Sequence, residues 1–135
     1  WGLSKYVGDA SINTTLGSNT YTLAPRAIPG GHAFADITIG EDQACAVTTS
    51  GAAYCWGDNF YGGLGNGTSG TSAFSQGLAA VSGGHSFTAV EAGHDFACGV
   101  TTANELYCWG RNYMGTLGDG NSSGDKTTPT KVLTF

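Results

Sequence analysis

The chain repeats itself at a fixed interval of 53 residues, and that interval limits its fold more than any other feature. Ala44-Cys45-Ala46-Val47-Thr48-Thr49 returns as Ala97-Cys98-Gly99-Val100-Thr101-Thr102. Tyr54-Cys55-Trp56-Gly57 returns as Tyr107-Cys108-Trp109-Gly110, Leu64-Gly65 as Leu117-Gly118, and Gly30-Gly31-His32 as Gly83-Gly84-His85. A more divergent copy opens at Trp1-Gly2, where Tyr6-Val7-Gly8 loosely echoes Tyr61 to Gly65. Counted from each Trp-Gly, a divergent repeat covers 1–55, a full one 56–108 and a partial one 109–135, about two and a half copies.

Within a repeat the strands are readable. Phe34 to Ile39 alternates large with small or polar residues, as Phe87 to Ala92 does, and Gly40 and Gly93 end both runs. A second strand is expected over Ala44–Thr48 and Ala97–Thr101, and a third over Ala52–Trp56 and Leu106–Trp109. A long Gly/Ser/Thr/Asn loop follows and holds one more strand, for which Tyr21–Ile28, Ser75–Val81 and Thr130–Phe135 are the candidates. No window has a 3.6-residue apolar period, so the chain reads as all-β. Its 23 Gly against 3 Pro suit frequent turns between short strands. Repeats of ~40–50 residues with four short strands each are the sign of β-propeller blades.

The residues also support a family. The pattern His/Glu-x-x-x-Cys-x-Val, a turn, Tyr-Cys-Trp-Gly, then Asn-x-x-Gly-x-Leu-Gly resembles the repeat of the regulator of chromosome condensation family. It is most similar to a cysteine-containing, extracellular branch of that family. The resemblance implies a seven-bladed propeller. Seven blades would need about 370 residues, so this chain is incomplete as a ring. With its start at Trp1 and no leader sequence, it reads as a processed chain, an excised fragment or part of something longer. Its uncovered faces would be met by the remaining blades of a longer chain or by copies of itself.

Four cysteines form two pairs, Cys45/Cys55 and Cys98/Cys108, each ten positions apart. In hairpins centred on Ser50 and Ala103 the members of each pair face one another, the placement that a disulfide needs. A zinc site would want CxxC-type spacing, which is absent, and buried free thiols are the remaining reading. Disulfides repeating with the blade point to an oxidising compartment, so a secreted or cell-surface protein is expected.

Three sequons, at Asn13, Asn66 and Asn121, fall 12, 10 and 12 residues after the Trp of their own repeat. They read as N-glycan acceptors on one equivalent loop, although a loop of this composition also produces sequons by chance. Asp119 to Asp125 partly imitates a calcium loop, but Thr130 stands where the closing glutamate belongs. Trp1, Trp56, Trp109, Tyr54 and Tyr107 recur at repeat-equivalent positions and are read as packing between blades, with sugar-stacking platforms as the rival. Tyr61 and Tyr113 lie in loops and leave that choice open.

Catalysis finds little footing. No Gly-x-Ser-x-Gly elbow, phosphate loop or HExxH occurs, and His32 and His85 are duplicates of one position. No cofactor or metal is expected. A net charge of −5, with five scattered basic residues, disfavours nucleic acid, and no apolar run is long enough to span a membrane. The leading expectation is a non-catalytic scaffold module of a secreted or cell-surface glycoprotein, with self-assembly into an extracellular filament as one variant. The alternative is a recognition module, lectin-like or inhibitor-like, binding glycan or protein through its loops.

Overall fold

The computed structural model describes residues 27–70 and 75–133, together with short backbone segments at 2–3, 15–16 and 19–22. Strands β1 (Gly2–Leu3), β2 (Thr15–Leu16) and β3 (Asn19–Thr22) form a small antiparallel sheet in the order β1-β3-β2. Two four-stranded antiparallel meanders follow. The first holds β4 (Phe34–Ile39), β5 (Gln43–Thr48), β6 (Ala53–Gly57) and β7 (Ser75–Ala80). The second holds β8 (Phe87–Ala92), β9 (Phe96–Thr101), β10 (Leu106–Gly110) and β11 (Lys126–Lys131). Both are β-propeller blades. A repeat counted from Trp56 starts inside β6, whereas the two sheets begin at Phe34 and Phe87, 53 residues apart.

Strand register places the cysteines. Thr48 N–H donates to Ala52 O and Thr101 N–H to Glu105 O, which makes 48/52 and 101/105 hydrogen-bonded pairs. Antiparallel ladders alternate wide and narrow pairs, so 45/55 and 98/108 fall on non-hydrogen-bonded positions, where side chains come closest. Cys45 stands opposite Cys55 and Cys98 opposite Cys108, each pair with Cα atoms 4.0 Å apart and joined by a disulfide.

The two sheets converge at one edge. Contacts between them concentrate on β8 against β4 and β5. The repeat-equivalent Gly40 and Gly93 make the closest approach, because a Cβ on Gly40 would lie 2.0 Å from the Gly93 carbonyl oxygen. Beside them Thr38 Oγ1 donates to Glu91 Oε2 at 3.0 Å.

The main core lies between the sheets. Cys45, Val47, Ala53 and Cys55 of the first sheet pack with Leu64 against Phe87, Val90, Ala97 and Trp109 of the second. Trp109 is fully buried, and its indole N–H donates to Gly63 O at 2.9 Å. Gly65 lies against the ring, where a Cβ would sit 2.7 Å from the indole nitrogen. Trp56, the equivalent indole, is buried with Ala44 and Ala46 on the opposite face of the first sheet, where Ile28 and Phe34 pack. The loop after one Trp-Gly therefore lies on the next sheet, and Gly67 N–H also reaches Thr127 O across the boundary.

One expected strand differs in its start, and another falls partly outside the described residues. β11 covers Lys126–Lys131 and so begins before the expected Thr130; Val132 N–H still donates to Leu106 O at 2.9 Å while Val132 and Leu133 pack over Gly118 and Gly120, and 134–135 lie outside the described residues. β3 covers Asn19–Thr22, Ile28 packs beside Trp56, and 23–26 of the strand expected over Tyr21–Ile28 lie outside the described residues.

The second sheet has a bare face. Val100 and Leu106 are 36% and 40% exposed, whereas their equivalents Val47 and Ala53 are 2% and 5% exposed under β8.

Trp109→Phe should cost about 1–3 kcal/mol, because it strands the Gly63 carbonyl in the core. Removing Cys45 and Cys55 together by Ala substitution should cost about 2–3 kcal/mol. Urea denaturation midpoints read both.

Candidate functional site

The loops after each Trp-Gly are ordered by one buried side chain apiece. Asn59 and Asn112, 53 positions apart, are almost fully buried. Asn59 Oδ1 accepts Leu64 N–H at 3.0 Å while its Nδ2 donates to Thr68 O and Thr68 Oγ1, both at 3.0 Å. Asn112 Oδ1 accepts Leu117 N–H at 3.2 Å, and its Nδ2 reaches Asp119 Oδ1, Asn121 O and Ser123 O. An amide with one acceptor and two donors can close such a loop from inside, and a carboxylate cannot. Neither Asn was singled out above, although both stand in the repeated Asn-x-x-Gly-x-Leu-Gly pattern.

The sequons lie in the same loops. Asn66 is half-buried, and its Oδ1 accepts Thr68 N–H at 3.1 Å and Thr68 Oγ1–H at 2.7 Å. Asn121 is exposed, and both its backbone N–H and its Nδ2 donate to Asp119 at 3.0 Å. Asn13 and Trp1 lie outside the described residues. Asp119, its side chain nearly buried, also takes Lys126 Nζ at 3.1 Å. Those hydrogen bonds from Asn121, followed by Lys126, hold its carboxyl far below the usual carboxylate range. Asp125 Oδ1 accepts Asn112 N–H at 2.9 Å. The carboxylates of Asp119 and Asp125 are thus engaged by donors from this loop and its flanks.

The repeated histidines are ring-packing residues. His32 lies on Tyr54 and His85 on Tyr107, with centroids 4.5 and 4.2 Å apart, and each also meets the Phe that opens its sheet. Gly30 and Gly83, at φ +108° and +96°, run close beneath these rings. Tyr54 and Tyr107 are half-buried, whereas Trp56 and Trp109 are buried.

One cluster faces outward at the blade boundary. Arg111 leaves the end of β10, where its backbone N–H donates to Asp95 O at 2.9 Å and its guanidinium to Asp95 Oδ2 at 3.0 Å. The same guanidinium lies over the Tyr61 ring at 4.4 Å and the Tyr113 ring at 5.3 Å. Tyr61 comes from the first sheet's loop and Tyr113 from the second's. Phe60 packs edge-on against Tyr61 and is itself exposed. Met114 is 79% exposed and sits at φ +53°, a conformation that costs a non-glycine residue about 1–2 kcal/mol. His94 Nδ1 approaches Asp95 Oδ2 at 2.7 Å, and that hydrogen bond raises its pKa, with smaller help from Glu41 and Asp42. A shallow cavity of about 310 Å³ runs between His94, Phe96, Arg111, Tyr113 and Thr116. Asp95 is only 10% exposed and anchors both His94 and Arg111.

Chemically the cluster offers rigid aromatic area, a charge held in place and a flexible thioether. These residue types carry most of the energy in protein interfaces.

Asn112→Ala should cost about 1–3 kcal/mol and speed amide exchange across 113–125, since Leu117 N–H loses its acceptor. The depressed pKa of Asp119 sets the sign of its pH effect. Its contribution is present above the unfolded value near pH ~3.9 and is lost as pH falls through the lower folded value. In Asp119→Asn that acid-labile part of the unfolding curve should disappear.

Comparison with known proteins agrees with the geometry. The Regulator of chromosome condensation (RCC1) repeat matches residues 34–62, 87–116 and 104–135, together more than half of the chain. The ultraviolet-B receptor UVR8 of Arabidopsis thaliana is 31% identical over 135 residues, 98% of this chain and 29% of that protein. The human E3 ubiquitin-protein ligase HERC2 is 28% identical over 90% of this chain, which spans 2% of it. Prp20p of Saccharomyces cerevisiae, described with its binding to Gsp1p and histones, superposes at a TM-score of 0.78 with 18% identity over 99% of this chain and 33% of its own. Human WBSCR16 superposes at 0.75 with 17% identity, over 96% of this chain and 33% of its own. The chain spans less than a third of the curated relatives it matches, and it belongs to the regulator of chromosome condensation repeat family of β-propellers.

Proposed function

We propose that the chain is the protein-recognition part of a non-catalytic propeller, with the Arg111 cluster as its contact surface. The observation that carries this reading is the seating of Arg111 between Tyr61 and Tyr113 while Asp95 holds it from behind. A guanidinium locked in this way loses little entropy on binding, and the exposed Phe60 and Met114 extend the patch on either side. Protein partners are also the class named for Prp20p.

The bare face around Val100 and Leu106 favours a second, compatible role as a scaffold. Further sheets, from a longer chain or from copies of this one, would bury it as β8 buries Val47 and Ala53, and copies that do not close a ring would grow into a filament. The disulfides support work in an oxidising, extracytosolic compartment, where Asn13, Asn66 and Asn121 would be open to N-glycosylation.

A photo-crosslinking residue at Tyr113, set against one at Thr102 on the hairpin turn, tests the recognition reading in the native host. A discrete protein adduct at 113 and none at 102 is expected, and equal labelling at both would sink it. Intact-mass measurement with and without reductant and glycosidase tests the compartment. A gain of four protons on reduction, with a glycan on at least one sequon, is the expected outcome.

A further inference from the structure

Two turns meet at the blade boundary on the side of His94. Gly40 to Asp42 joins β4 to β5, and the repeat-equivalent Gly93 to Asp95 joins β8 to β9. Position 41 carries Glu and position 94 carries His, so equivalent sites in adjacent sheets present unlike groups to one another. Ligand atoms of Glu41, Asp42 and His94 all lie within 4.8 Å of one another.

We propose that Glu41, Asp42 and His94 form a binding site for a divalent transition cation, Zn²⁺ by its donor set, that clasps the two sheets together. The first argument is a distance. His94 Nε2 and Glu41 Oε2 stand 3.4 Å apart, long for a charge-assisted hydrogen bond, which would be about 2.7–2.9 Å. Two ligand atoms bound tetrahedrally to zinc at about 2.0–2.2 Å are separated by about 3.4 Å.

The second argument is orientation. His94 Nδ1 faces Asp95 Oδ2 at 2.7 Å, so the Nδ1–H tautomer is held and the Nε2 lone pair faces Glu41. Metal-binding imidazoles are oriented in this way, by a carboxylate on the other ring nitrogen. Asp95 is in turn held by Arg111 and is only 10% exposed, so the ring is braced from inside the protein.

The third argument is the chemistry of the donors. Two neighbouring carboxylates and one neutral imidazole suit a borderline cation with one position left for water. Calcium and magnesium prefer all-oxygen sites with more ligands. Because the ligands come from both sheets, bound metal favours the state in which the sheets are packed.

The test uses the whole chain after treatment with chelator. Titration with ZnCl₂, read by calorimetry and by the ¹⁵N shift of His94 Nε2, should show one saturable site. Zinc at 100-fold over its Kd should raise the melting temperature by about 5 °C or more. His94→Gln and Glu41→Gln should each weaken binding at least tenfold while the circular dichroism stays unchanged. Asp95→Asn, a positioning change, should weaken it about 10–100-fold. CaCl₂ should give no saturable binding, and His32→Gln and His85→Gln should bind zinc as the parent does. No saturable zinc binding below about 1 mM, binding retained in His94→Gln, or a Nε2 resonance that does not move would overturn the proposal.

Discussion

The seating of one sheet's loop on the next sheet's tryptophan is the interaction on which the rest depends. Trp109 is apolar over most of its surface and polar at one atom, so its burial needs both a cavity and an acceptor. The loop after Gly57 supplies both, with Leu64 as wall, Gly65 as clearance and Gly63 O as acceptor. Asn59 holds that loop in shape from inside, and Asn112 repeats the arrangement one blade later. Each sheet therefore completes its neighbour, and the same geometry leaves Val100 and Leu106 bare where a following sheet would lie.

The proposed contact surface follows from that seating. Because loop 58–70 rests on the second sheet, Tyr61 reaches Arg111, and Tyr113 closes on the guanidinium from its own side. The same boundary brings the turn at Glu41 beside the turn at His94. The proposed recognition patch and the proposed cation site are thus both products of inter-blade packing, and Asp95 would serve both by holding Arg111 and orienting His94. A fold shared with a ubiquitin ligase and an ultraviolet-B receptor carries no single function, so function must lie in the side chains at these boundaries.

Much of the fold was legible because it is local. The alternation in Phe34 to Ile39 and the glycine stops delimited β4 and β8, and the hairpin centres paired the cysteines correctly. Legibility failed where that alternation is missing. β11 begins at Lys126, in a run of Lys, Thr and Pro with no apolar alternation to announce it, four residues before the strand expected at Thr130. Polar residues were the harder case. Gln43 and Asn59 carry no local sign of burial, yet Gln43 Nε2 crosses the boundary to Phe96 O at 2.5 Å.

By itself the sequence determined the 53-residue period, the all-β character, the family and the disulfide partners, since each depends on spacing within one repeat. Only the tertiary structure decided which loop residues are buried, which face stays uncovered and which charges meet. Glu41 and His94, or Tyr61 and Arg111, stand about 50 positions apart and meet only because the two sheets pack at one edge. That packing is set by side-chain shape and by the close glycine contact of Gly40 with Gly93, for which spacing within a single repeat contains no signal.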